Sequence, residues 1–408
     1  MKKFLFSASA AALMSSVALA EGSLVIASSA SDAAPRAAFE AIVAAFEAAN
    51  PDIDVEFNIS DSEAYKTEIR NFLVADQGPD IGFWFAGNRM AGFVEGGLFA
   101  DISDVWAEND LARAMASTMP SVTFGGAQYG LPYSYYQWGV YYRPDVYEAA
   151  GVSVPGTYDE LVAACETVAA QGKSLFTIGT KYLWTAAGWF DYVNMRTNGL
   201  DFHTELMLGN VDWTDDRVRA TFENWAKAVD AGCYNEGHQN LSWQEAQAPL
   251  VSGDAGSYLM GNFLVPNLPV ETKDALDFYQ FPDIDASIAR GEDAPTDLMF
   301  IPSNAQNVEN AKKFLAFASQ PDNQQAISEA LQQLSPHADV PPSEDRFLAQ
   351  GTAMLSKSVT AQFFDRDGDP EFAGPAMGLL VEFMLDTSDI DGILEDIEAI
   401  REDVHGAL

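Results

Sequence analysis

Cysteine is nearly absent. The 408 residues hold two, Cys165 and Cys233, and the four histidines, His203, His238, His337 and His405, stand at no ligand spacing from them, which excludes a structural zinc site. Basic residues are scarce too, 22 against 60 acidic ones, for a formal charge of −38. A surface of that sign repels polyphosphate backbones and anionic leaflets, so nucleic acid and membrane surfaces are excluded as partners. The acidity reads as a solvated, self-repelling surface suited to salty surroundings. Past the N-terminus no run reaches the roughly 18 apolar residues of a membrane-spanning helix, and no membrane insertion is expected. Also missing are a Gly-x-Ser-x-Gly elbow, a His-Glu-x-x-His pair and a phosphate-cradling glycine-rich loop. With 60 acidic residues, paired carboxylates arise by chance and carry no argument for a glycosidase. No cofactor is called for.

What is present begins at the N-terminus. Lys2 and Lys3 precede the largely apolar run Phe4 to Val17, and Ala18-Leu19-Ala20 has the small-x-small pattern of a secretory cleavage site. Residues 1–20 are therefore expected to be a signal peptide and Glu21 the first mature residue. No cysteine stands there to take a lipid anchor, and the Gram-negative periplasm is the expected address. Loss of Lys2 and Lys3 takes the charge to about −40. In an oxidising compartment Cys165 and Cys233 either pair, closing a loop worth about 4 kcal/mol of chain entropy, or stay as two buried thiols. The sequence leaves both open, because it does not give the Cα separation.

At 48% hydrophobic and 12% aromatic residues the chain is globular, and it is longer than one core usually organises, so two domains are expected. From Ser23 the pattern alternates. Leu24 to Ala27 is a short strand, Pro35 opens a helix with Phe39, Ile42, Val43 and Phe46 at helical spacing, Asp54 to Ile59 is a strand, Glu63 to Ala75 a helix and Ile81 to Phe85 a strand. Such alternation predicts an α/β fold with a mostly parallel sheet flanked by helices, binding ligands beyond the carboxyl ends of its strands. Ser29 and Asp32, after the first strand, and Trp84, Asn88 and Arg89, after the third, are thus placed at one crevice. The aromatic stretch Tyr129 to Tyr136 reads as a crossing between lobes, Tyr279-Gln280-Phe281-Pro282 as a return and Ser335-Pro336-His337 as a third crossing. This assigns residues 21–131 and 280–335 to lobe 1 and residues 132–279 and 336–408 to lobe 2. An amphipathic helix from Ile390 closes the second lobe.

Four stretches then carry a resemblance. Gly78-Pro79-Asp80-Ile81-Gly82-Phe83-Trp84 with Arg89, Gly96-Gly97-Leu98 and Asp101-Ile102 is the first; Gly130-Leu131-Pro132 through Tyr141-Tyr142-Arg143-Pro144-Asp145 is the second. Gly253-Asp254-Ala255 through Tyr258-Leu259-Met260-Gly261-Asn262-Phe263 and Ala311-Lys312-Lys313-Phe314-Leu315 complete the set. In this order they resemble the maltose-binding-protein-like group of bacterial extracellular solute-binding proteins, family 1, over essentially the whole mature chain. The resemblance implies a two-lobe periplasmic binding protein fold joined by three hinge crossings. It also implies a monomer that closes on a carbohydrate and hands it to the permease subunits of an ABC importer.

Sugars offer C–H faces to aromatic rings and hydroxyl edges to paired donors and acceptors. By that chemistry and the resemblance, Trp84 is the expected stacking residue, with Asn88 and Arg89 beside it; Arg89 reads equally as a helix-surface charge. Tyr136 is expected at the hinge, one contact from Trp184 or Trp189, and a weaker one from Trp243. Gly261, Asn262 and Phe263 form the expected second-lobe loop. Asp365 is a clamp for two hydroxyls or a surface ion pair with Arg366. Arg89, Arg196 and Arg366 leave an acidic or sulfonated sugar open. The competing reading is a secreted carbohydrate-active hydrolase or lyase.

Overall fold

Leu24 and Ile26 are fully buried, and they seat the strand Gly22–Ser28 between two parallel neighbours, Ile53–Ile59 and Ile81–Phe85, in a computed structural model that describes residues 22–408. The signal-peptide reading concerns residues 1–20, outside the described residues. Thr296–Phe300 continues this sheet antiparallel to Ile81–Phe85, and Leu131–Tyr135 closes its far edge. The tight pairing depends on Gly82: a Cβ there would lie 2.5 Å from the ring of Phe300, its register partner. The helix Ala33–Ala49 buries Phe39, Ile42 and Phe46 against the sheet, and Phe46 meets Phe314 of the helix Val308–Ala318 edge-on at 5.1 Å.

A second sheet has the order Asp277–Tyr279, Trp138–Tyr142, Ala255–Gly261, Ser174–Phe176. Only its last pairing is parallel. Both sheets are thus mixed rather than mostly parallel, because strands entering after a crossing run against their neighbours. Each sheet has its own hydrophobic core. In the second, Cys165 on the helix Tyr158–Ala169 and Cys233 beyond the helix Asp216–Asp230 are disulfide-bonded with Cα atoms 4.7 Å apart. Closing a 68-residue separation removes about 4 kcal/mol of chain entropy from the unfolded state.

The crossings fall later than the sequence suggests. Tyr133 and Tyr135 stay in the first sheet and the chain passes over at Tyr136 and Gln137. The return lies at Ala294 and Pro295 rather than Tyr279 to Pro282, because Phe281 finds partners in the second core, Tyr192 at 5.3 Å and Trp189 at 5.5 Å. Gly291–Asp293 then pairs with Val359–Ala361 before the chain leaves. Ser335-Pro336-His337 remains beside the first lobe, where the Ala338 N–H donates to Ala114 O and Arg113 pairs with Asp339. Only at the helix Arg346–Leu355 does Phe347 pack on Tyr141 of the second lobe.

Candidate functional site

The strand ends of the first sheet face the second lobe across a cleft enclosing about 1080 Å³ of non-protein space, its open mouth included. The first lobe supplies Ser29, Asp32, Glu63, Lys66, Phe85 and Arg89; the strand Thr296–Phe300 adds Asp297. Across from them Trp138, Trp184, Trp243, Phe263 and Phe363 form an aromatic wall. Trp184 lies 6.1 Å from both Trp138 and Phe263, Trp243 lies 5.2 Å from Phe263, and Trp138 lies 4.8 Å from Phe363. Trp184 and Phe263 keep part of their rings uncovered while the other three are buried.

Two unusual backbone conformations aim this wall. Leu183 adopts φ 69° and Trp184 N donates to Tyr182 O at 2.8 Å, a tight turn that sets the ring of Trp184 at the first position of the helix Trp184–Asn198. Phe363 adopts φ 156°. Side chains are rarely held in such regions unless the surroundings enforce them, and such positions cluster at functional sites.

The polar floor is bonded across the lobes. Arg366 donates to Asp297 Oδ1 at 2.9 Å, Thr296 O at 3.0 Å and the Tyr136 hydroxyl at 2.8 Å. Arg89 pairs with Asp365 and lies 4.7 Å from the centre of the Phe85 ring. Lys66 pairs with Glu63 at 2.8 Å. Burial pushes the Asp297 carboxyl up, opposed by the Arg366 guanidinium. Burial also pushes the Tyr136 phenol up and the Lys66 ammonium down. Burial raises Asp32 as well, opposed by the side-chain amide of Gln244 from the second lobe.

The cleft thus brings together Ser29, Asp32, Arg89, Tyr136, Trp184, Trp243, Phe263, Asp365 and Arg366 from the sequence reading. Trp84, Asn88, Trp189, Gly261 and Asn262 lie outside its lining. Trp84 is 6% exposed, packs on Phe93 at 5.5 Å and donates from Nε1 to Arg89 O at 3.3 Å, because alternation along Ile81–Phe85 turns Phe85, not Trp84, to the cleft. Asn88 is occupied by Asp367 O at 2.6 Å. Trp189 is a core residue against Phe176 and Tyr234. Asn262 accepts from the Tyr141 hydroxyl at 2.6 Å and donates to Gln332 O. Gly261 provides room: a Cβ there would sit 2.5 Å from the ring of Phe263. Arg196 is buried on Glu292 and the carbonyls of Phe281 and Gly291, away from the cleft. A Trp84→Phe substitution should therefore leave solute affinity within about threefold, under 1 kcal/mol, as measured by calorimetric titration.

Reasoning from sequence missed Phe85, Trp138, Phe363 and Asp297. Strict alternation would have found Phe85, and continuing the Ser134, Tyr136 series would have reached Trp138. Among the described residues no group of three or more His, Cys, Asp or Glu could hold a metal ion, and no helix is long and apolar enough to cross a membrane.

Residues 30–325 match the family described as bacterial extracellular solute-binding protein. An uncharacterised ABC transporter extracellular-binding protein of Pyrococcus horikoshii is 24% identical over 311 residues, 74% of this chain and 69% of its own. The alpha-glucosides-binding periplasmic protein AglE of Rhizobium meliloti is 27% identical over 192 residues, 43% of this chain and 42% of its own. Among solved structures, the bacterial solute receptor AcbH, with an exclusive preference for β-D-galactopyranose, superposes with a TM-score of 0.85 at 26% identity, covering 94% of this chain and 98% of its own. A chitin oligosaccharide binding protein gives a TM-score of 0.85 at 19% identity, covering 93% and 98%, a likeness of fold.

Proposed function

The chain belongs to the bacterial extracellular solute-binding protein family, the binding components of ABC transporters, and from that premise we propose that it captures an uncharged carbohydrate between its lobes. The observation that carries this reading is the partly uncovered aromatic wall of Trp184 and Phe263 standing opposite a bonded polar floor. A pyranose laid on Trp184 would turn its hydroxyls to Asp297, Asp365, Arg89 and Arg366, with Ser29 and Asp32 at the mouth. Every cation in the lining is already paired with a carboxylate, Lys66 with Glu63, Arg89 with Asp365 and Arg366 with Asp297. An acidic sugar would find no free positive charge, so a neutral one is favoured over the uronate or sulfonate the arginines alone suggest. The galactose preference of AcbH supports a small neutral ligand. The protein acts as a monomeric, periplasmic binder that delivers its sugar to permease subunits, and a family of binding proteins supports a non-catalytic role.

A thermal-shift screen over neutral mono- and disaccharides, polyols and uronic acids tests this. A neutral sugar at 100 times its Kd should add about 2.7 kcal/mol of stability and be recovered intact. Stabilisation by uronic acids alone, or cleavage of the sugar, would overturn the reading.

A further inference from the structure

Three consecutive amides behind the cleft are held by carboxylates. Asp367 Oδ2 accepts from Gln362 N at 2.8 Å and Phe363 N at 3.4 Å, and Asp191 Oδ2 accepts from Phe364 N at 2.8 Å. The same segment presents Phe363, Asp365 and Arg366 to the cleft, and it includes the unusual φ of Phe363. Against it stands Asp293, the last residue of Gly291–Asp293, fully buried and with neither carboxyl oxygen hydrogen-bonded among the described residues. Asp191 is equally buried and its Oδ1 has no partner there.

The surrounding groups do not neutralise this pair. On the helix Trp184–Asn198, Arg196 is committed to Glu292 Oε1 at 2.5 Å and Gly291 O at 2.6 Å, and Tyr192 donates to Trp138 O at 3.0 Å. From the helix Leu200–Met207, His203 meets Asn194 through Nδ1 at 3.0 Å, and its Nε2 is 3.6 Å from Asp191 Oδ1, too long for a hydrogen bond. Burial lowers His203 to about 3, so it is neutral. Asp365, Arg366 and Asp367 face the pair from the segment itself; Arg366 is engaged by Asp297 and Tyr136, and Glu292 adds a further acid. Carboxyls buried in a dry interior among other acids, with oxygens that find no donor among the described residues, do not all ionise.

We propose that Asp191 and Asp293 are positioning residues that retain a proton at neutral pH, and that this proton holds the cleft-lining segment 362–367 in place. Burial first, then repulsion, from Asp293 at Asp191 and from Asp367 and Glu292 at Asp293, moves both carboxyls well above the usual range; burial likewise brings Asp367 up to about 6. An acid raised in the folded state binds protons there that the unfolded chain has already lost, so stability falls as pH rises through the folded value. The placement of the segment is independent of which solute the cleft takes; only its consequence for affinity rests on the binding reading above.

The test uses the full chain without ligand. Between about pH 5 and 9 the wild-type melting temperature should fall and protection of the amides of residues 362–364 against hydrogen exchange, corrected for intrinsic rates, should drop at least about tenfold. Asp293→Asn, an uncharged isostere, should flatten both profiles. Infrared spectra at neutral pH should show a protonated-carboxyl band in the wild type that Asp293→Asn weakens. If Asp293→Asn does not fold, Asp191→Asn, which keeps an acceptor for Phe364 N, serves in its place. Parallel pH profiles in wild type and variant, or no protonated-carboxyl band in the wild type, would overturn the proposal.

Discussion

Replacing Arg366 by alanine is expected to abolish measurable solute binding and to lower stability by about 3–5 kcal/mol. The guanidinium is buried and joins three partners from the first lobe and the hinge, Asp297, Thr296 O and the Tyr136 hydroxyl. Burial opposes its charge, but Tyr136, Asp297 and Asp365 outweigh that and hold it firmly protonated. Without it, Asp297 is left as an unpaired carboxylate in a poorly solvated floor, which costs far more than the pair gains relative to an apolar isostere. The double variant Arg366→Met with Asp297→Leu should therefore recover most of the stability while binding stays lost. Denaturant unfolding and calorimetric titration read the two effects separately. Normal binding by Arg366→Ala would remove the floor from the site.

Trp184→Ala is expected to weaken binding at least about 30-fold, roughly 2 kcal/mol, while the free protein keeps its stability to within about 1 kcal/mol. Trp184 is partly uncovered and begins its helix, so its removal leaves the core residues Trp189 and Phe190 untouched. The ring is the face on which a sugar would stack, and stacking adds to the apolar area it covers. Unchanged affinity, measured by titration with the sugar that gives the largest thermal shift, would assign Trp184 to packing alone.

These two residues illustrate what was legible in advance. Trp184 was expected at the cleft from the family resemblance and Arg366 from its place in a stretch of aromatics and charges, and both line the cleft. The two-lobe architecture was readable from strand and helix periodicity and from four family-like stretches. Phe281 was not: an aromatic beside Pro282 looks like a crossing until the second core supplies Trp189 and Tyr192 as neighbours. Asp297 was hidden for another reason. It sits in the strand Thr296–Phe300 with nothing in the local pattern to distinguish it, and only Arg366, distant in sequence, reveals its role. Asn262 had the right donor and acceptor chemistry, but Tyr141 and Gln332 satisfy it within the protein. Residue type predicts what a side chain can bond; which partner it finds is set by tertiary packing.

The proposed contacts from both lobes would make closure a consequence of binding, since a solute that touches both favours the closed arrangement by its differential affinity. The most direct measurement is a crystal structure of the protein with its stabilising sugar bound. The sugar should lie on Trp184 and Phe263 with hydroxyls hydrogen-bonded to Asp297 or Arg89 of the first lobe and to Asp365 or Arg366 of the second. A sugar whose contacts are confined to one lobe, or that occupies a surface away from this cleft, would contradict the account.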